Sequence, residues 1–98
     1  MTEVIDRRWE IIVPLKLGTD PDAVVETCIN NCPCVTGRGD CQMEFAIVRD
    51  NSLFVYLYAD GDPWAATAWT IWLYAQEWHD AGTYVQTKLC EYTEADYE

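Results

Sequence analysis

Basic side chains are scarce in this sequence: six Lys and Arg stand against seventeen Asp and Glu, giving a formal charge of −11 with a single His. A domain that grips nucleic acid directly draws its affinity from Lys and Arg displacing counterions from phosphates, so the charge argues against direct nucleic-acid binding. Anionic membranes are disfavoured for the same reason. A long hydrophobic run is missing too. The longest apolar stretch, Trp64 to Ala75, is broken by Thr67 and Thr70 and is too short to span a bilayer. Met1 to Glu10 is polar and charged and lacks the apolar centre of a signal peptide, so a cytoplasmic location is expected.

Cysteine is present but carries no metal-site spacing. Five cysteines, an odd number without a secretion signal, argue against an extracellular disulfide scaffold. Cys28, Cys32, Cys34 and Cys41 are separated by three, one and six residues, unlike a paired Cys-x-x-Cys pattern. Zinc needs four ligands about 2.3 Å from the metal in a tetrahedron, and Cys32-Pro33-Cys34 is a stiff place to build one. The leading reading is reduced, partly buried thiols with no metal or cofactor; a zinc site on these four, or a disulfide, stays open beside it. Cys90 reads as a sheet residue.

Catalytic patterning is equally thin. His79 falls near the end of a predicted helix, where a cation suits the dipole, and reads as a solvent-facing or half-buried residue. No Ser or Cys motif sits beside it. Asp60-Gly61-Asp62 offers two carboxylates on one loop, which is little for a divalent cation. No enzymatic activity is expected.

What is present is a clear alternation of elements. Half of the 98 residues are hydrophobic, enough for one two-layer core spanning residues 1–98, with frayed ends expected at 1–7 and 93–98. Trp9, Ile11, Val13, Leu15 and Leu17 mark a first strand, in which Pro14 favours an edge or a bulge. Asp20-Pro21-Asp22 is a helix start, and the helix is predicted over Asp20 to Asn31 with Val24, Val25, Cys28, Ile29 and Cys32 as its stripe. Met43, Phe45 and Ile47, then Leu53, Val55 and Leu57, give two strands around an Arg49-to-Ser52 turn. A second helix is predicted from Pro63 to about Ala81, with Gly82 as the stop, and a last strand from Thr83 to Tyr92. Asp20-Pro21 and Asp62-Pro63 lie 42 residues apart, and the same offset roughly superposes the two halves.

Strand, helix, strand, strand, helix, strand resembles the ferredoxin-like superfold. The class expected is α+β: a βαββαβ two-layer sandwich with a four-stranded antiparallel sheet and both helices on one face. That fold hosts many functions and decides none. The sequence lacks the Met-x-Cys-x-x-Cys of a small metal chaperone and the glycine-rich, arginine-bearing loop of a small acyl-phosphate hydrolase. Phe54, Tyr56 and Tyr58 resemble the stacking platform of an RNA-recognition motif, but Asp50, Asp60 and Asp62 surround them where that motif wants bases.

Three groups of residues are candidate surfaces. The topology brings Glu3, Asp6, Asp40, Asp60, Asp62, Glu91, Glu94, Asp96 and Glu98 to one end of the sheet, against Arg7, Arg8 and Arg38. On the second helix, Trp64, Ala68, Ile71, Trp72, Ala75 and Trp78 form the predicted core stripe, which leaves Trp69, Leu73 and Tyr74 outside it as interface anchors. Asp40, Asp60, Asp62, Glu91 and Glu94 with those three are the expected partner-binding set; Phe54, Tyr56 and Tyr58 are the alternative interface. An isolated acidic domain without catalytic motifs resembles small phage-encoded inhibitors, among them nucleic-acid mimics and anti-CRISPR proteins. The resemblance implies docking on a basic protein surface of nucleic-acid-handling machinery. The alternatives are an assembly module dimerising through the aromatic sheet face, and a cysteine-bound zinc regulatory module.

Overall fold

Residue alternation sets the sheet, and Asp20-Pro21 sets the start of the first helix. The computed structural model describes residues 3–31, 33, 43–58 and 63–97. They form β1 (Val4–Pro14), α1 (Pro21–Asn31), β2 (Met43–Arg49), β3 (Ser52–Tyr58), α2 (Pro63–Tyr74) and β4 (Gln86–Thr93), followed by a 3₁₀ turn at Glu94–Tyr97. The sheet order is β2-β3-β1-β4, and every neighbouring pair is antiparallel. The α+β class and the four-stranded antiparallel sheet with two helices therefore stand as expected.

β1 lies at the centre, so its alternation divides the molecule. Ile11 and Val13 face Val55 and Leu53 across β3, and all four are fully buried. Val24 and Cys28 of α1 and Ala65, Trp69 and Leu73 of α2 join them in one cluster, so both helices cover the same face. Burying a side chain of this size contributes roughly 1.5–3 kcal/mol relative to leaving it exposed, which makes this face the source of most of the stability.

Pro14 does not push β1 to an edge. It is the last residue of a central strand, opposite Ser52, where a missing N–H removes only a terminal pairing. Its carbonyl still accepts the Asp80 N–H at 3.0 Å. Leu17, read as part of the apolar alternation, is 92% exposed, because the chain turns at Lys16–Thr19 with Gly18 at φ +83°. Residues 4–7, read as a frayed end, are strand: Val4, Asp6 and Arg7 pair with Thr93, Tyr92 and Glu91. The other end is also held, for the Thr93 N–H donates to Asp96 Oδ2 at 2.6 Å.

α1 starts as its sequence predicts. The Asp22 N–H donates to Asp20 Oδ1 at 3.0 Å, the side-chain cap of an exposed helix start. Val24 and Cys28 are buried as expected, whereas Ile29 is exposed. β2 and β3 meet in a two-residue turn with Asp50 at φ 53° and Asn51 at φ 60°, the pair of left-handed positions that matches strand twist. Asn51 locks the turn onto β1, with its Nδ2 donating to the Leu15 carbonyl at 2.9 Å and the Leu15 N–H returning to its carbonyl at 3.1 Å.

α2 ends at Tyr74 and not near Ala81. From Ala75 the backbone tightens to three-residue bonds, and Gln76 Nε2 caps the Trp72 carbonyl at 2.9 Å. The chain then runs beside the end of β1, with the Lys16 N–H donating to the Trp78 carbonyl and His79 bridging Leu15. Backbone pairing with β1 competes with continued helix and wins. The predicted stripe is also displaced. Trp69 and Leu73, placed outside the core by sequence, are 1% and 0% exposed, while Trp64 and Ile71 of the predicted stripe are open to solvent.

Candidate functional site

Cross-strand register builds the uncovered face of the sheet into rows. Tyr56 and Lys88 flank Glu10 on its two sides, and Phe45 continues that row on β2. Glu10 uses both oxygens: the Tyr56 hydroxyl donates to Oε2 at 2.8 Å and Lys88 Nζ lies 3.1 Å from Oε1. Partial burial, and then the adjacent Glu10 carboxylate, hold the Tyr56 phenol in its neutral form, pushing its pKa up to about 12. Lys88's own hydrogen bond to Glu10 raises the Lys88 pKa. Phe45 stacks on Tyr56 with ring centroids 4.6 Å apart.

The next row is ionic. Arg8 reaches Asp6 at 3.3 Å through Nη2 and Glu44 at 2.7 Å through Nε, the latter an ion pair and not a linear hydrogen bond. The Arg8 guanidinium also lies 5.2 Å from the Tyr92 ring centre, and that of Arg49 lies 5.0 Å from Phe54. Of the alternative interface residues, Tyr58 is exposed, whereas Phe54 and Tyr56 are half-buried among these partners. Phe45 and Ile47, read from the sequence as strand markers and not as an interface, are more open than either. Their period-two spacing on an edge strand carried that signal.

The acidic end is only partly within the described residues. Asp40, Asp60 and Asp62 lie outside them, as do Cys32, Cys34 and Cys41. Glu91 and Glu94 are exposed, and Arg7 Nε lies 3.2 Å from Glu91. Cys28 is buried in the core and Cys90 is half-buried on β4. Among the described residues no group of three or more His, Cys, Asp or Glu side chains could hold a metal ion.

No family model, curated protein or solved structure matches this chain.

His79 is buried, not half-exposed at a helix end. The Thr83 hydroxyl donates to the Asp80 carbonyl at 2.6 Å, which leaves the Thr83 carbonyl, 3.1 Å away, to accept from His79 Nε2–H. Tyr74 meets the imidazole edge-on at 5.1 Å. The ring thus works as a structural pin between α2 and the approach to β4. Tyr74 serves the same junction, with its hydroxyl accepting the Val85 N–H at 2.9 Å. Of the three expected α2 anchors, Tyr74 alone reaches the surface.

Between α2 and β4 runs a groove of about 430 Å³, lined by Trp9, Ala66, Thr67, Thr70, Ile71, Tyr74, Val85 and Thr87. The Thr70 and Thr87 hydroxyls are 2.8 Å apart across it. Trp9 brings an indole nitrogen that is buried without a hydrogen-bond partner among the described residues. Ile71 and Tyr74 of the lining, and Leu89 opposite Trp9, leave large apolar surface exposed. Among the described residues no helix is long and apolar enough to cross a membrane.

Proposed function

We propose that this chain is an acidic, non-enzymatic binding domain of ferredoxin-like βαββαβ topology that docks on a basic surface of nucleic-acid-handling machinery and inhibits it. The strand order supports the topology: read from the opposite edge it is β4-β1-β3-β2, antiparallel throughout, with both helices in one core. The observation that carries the binding reading is where the few bases go. Arg7, Arg8 and Lys88 are each tied to acids of the sheet, while Asp20 before α1, Asp22 and Glu26 on it and Glu94 beyond β4 have no ion pair among the described residues. The negative surplus is therefore presented and not cancelled locally. Such a field speeds encounter with a basic partner and is screened by salt over about 8 Å at physiological ionic strength.

The test is capture of DNA-binding proteins on the immobilised domain at low and high salt, followed by competition with duplex DNA. Capture that weakens steeply with salt and yields to DNA is the expected result; capture indifferent to both ends the reading. One observation favours a second function, assembly through the aromatic sheet face: Phe45 and Ile47 stay exposed beside the Phe45–Tyr56 stack. Concentration-dependent dimerisation that Phe45→Ala abolishes would select it.

A further inference from the structure

We infer that the free edge of β4, with the groove beside α2, takes an extended, cationic segment of the partner protein as an added strand. The inference rests on the acidic-binding reading and gives it a surface. β4 ends the sheet, and among the described residues no strand pairs with its outer side. Exposed edges are normally guarded by charges pointing across them, by proline or by a bulge. Here both charges of β4 are turned back onto β1: Lys88 to Glu10 at 3.1 Å and Glu91 to Arg7 at 3.2 Å. No proline lies in Gln86–Thr93. The β1–β4 ladder has a register shift too, between Val4 and Asp6, but its extra residue, Ile5, belongs to β1. On the opposite edge the extra residue, Glu44, belongs to the edge strand β2 itself.

The flank of this edge is shaped for side chains. A strand added about 4.8 Å beyond β4 would place alternate residues over Leu89 and toward Ile71 at the mouth of the groove. Leu89 and Ile71 are exposed, by 39% and 67%. Charge then selects the occupant. The chain carries −11, and Glu94 and Asp96 follow directly beyond the far end of β4. A second copy of the chain would bring that same charge against itself, whereas a lysine- or arginine-bearing strand meets its complement.

The probe is an end-capped eight-residue peptide alternating lysine with valine, the length of β4. Two controls accompany it: the same peptide with alternate backbone amides methylated, and one with glutamate in place of lysine. The lysine peptide is expected to bind and to slow amide exchange selectively across Gln86–Thr93. Methylation is expected to weaken it about tenfold or more, the loss of one or two net hydrogen bonds. Ile71→Gln, a neutral change at an exposed position that leaves the core intact, is expected to weaken it several-fold. Binding that falls with salt but ignores methylation and Ile71→Gln overturns edge docking and leaves the acidic-binding reading standing. Equal binding of the glutamate peptide, or none of either, overturns both. Self-association that protects the β4 amides without peptide assigns the edge to a second copy and overturns the inference.

Discussion

The two faces of β1 are made by the same strand and held by different physics. On the covered side, Ile11 and Val13 are buried with Leu53, Val55, Trp69 and Leu73 in a core without charge. On the uncovered side, Arg8 and Glu10 make four polar partnerships, one each with β2, β3 and β4 and one with Asp6 of β1 itself. The first face supplies stability through area removed from water. The second exchanges protein–water contacts for protein–protein ones, so each of its links is worth little net. What the uncovered face supplies is register: Glu10 meets Tyr56 and Lys88 in one alignment of the strands only, and a one-residue slip would send every partner to the other side.

The largest effect that sharpens this contrast lies on α2. Trp69→Ala is expected to cost about 3–5 kcal/mol in urea unfolding, while Trp64→Ala on the exposed side should change stability by about 0.5 kcal/mol or less. Equal losses at the two positions would break the two-sided description of the helix.

Next comes Arg8→Ala, which leaves the half-buried Glu44 without its cation. The pair is partly exposed, so a loss of about 1–2 kcal/mol is expected, below that of a fully buried pair. A double-mutant cycle with Glu44→Gln should show coupling between the two sites; strict additivity would mean that the ion pair contributes nothing.

Tyr56→Phe is smaller at neutral pH, about 1 kcal/mol, and larger in its pH signature. The folded state holds the phenol neutral up to about 12, whereas the unfolded chain releases the proton near 10. Stability from this group is therefore intact below pH 10 and is lost as pH rises toward about 12. Thermal melts across that range should fall less steeply for Tyr56→Phe than for the wild type. Parallel curves would remove Tyr56 as a cause of alkaline unfolding.

Lys88→Ala stands last. Its amine is largely in water, and the melting temperature near neutral pH is expected to stay with the wild type, by calorimetry in moderate salt. A clear drop would give the uncovered face an energetic role beyond register.

These contrasts differ in how far they can be read from sequence. α1 is legible because a cap, Asp20, and a helix-starting proline, Pro21, act locally. The Asp50-Asn51 turn is legible for the same reason, as both residues tolerate left-handed backbone. The inner side of α2 is not legible, because Trp64, Ala65, Ala68, Trp69, Ile71, Trp72 and Leu73 are apolar around the whole circumference. Periodicity then has nothing to contrast, and the fit of Trp69 against the sheet decides which side is buried. The end of α2 is not legible either, since its competitor, the pairing of residues 78–80 with Pro14, Leu15 and Lys16, comes from far along the chain. The Glu10 and Arg8 networks needed a register before their partners could be named, and the groove needed the helix rotation.

The central place of β1 also has a consequence in time. Its partners β3 and β4 both come later in the chain, and Val4 pairs with Thr93 near the other end of the described residues. The β2–β3 hairpin needs only its own two-residue turn and can close within microseconds. β1 must then be threaded between that hairpin and β4, a search dominated by distant contacts and slow for that reason. A nascent chain therefore carries Ile11 and Val13 unpaired until Leu53 and Val55 have been made, and leaves the other side of β1 open until nearly all of this sequence has followed.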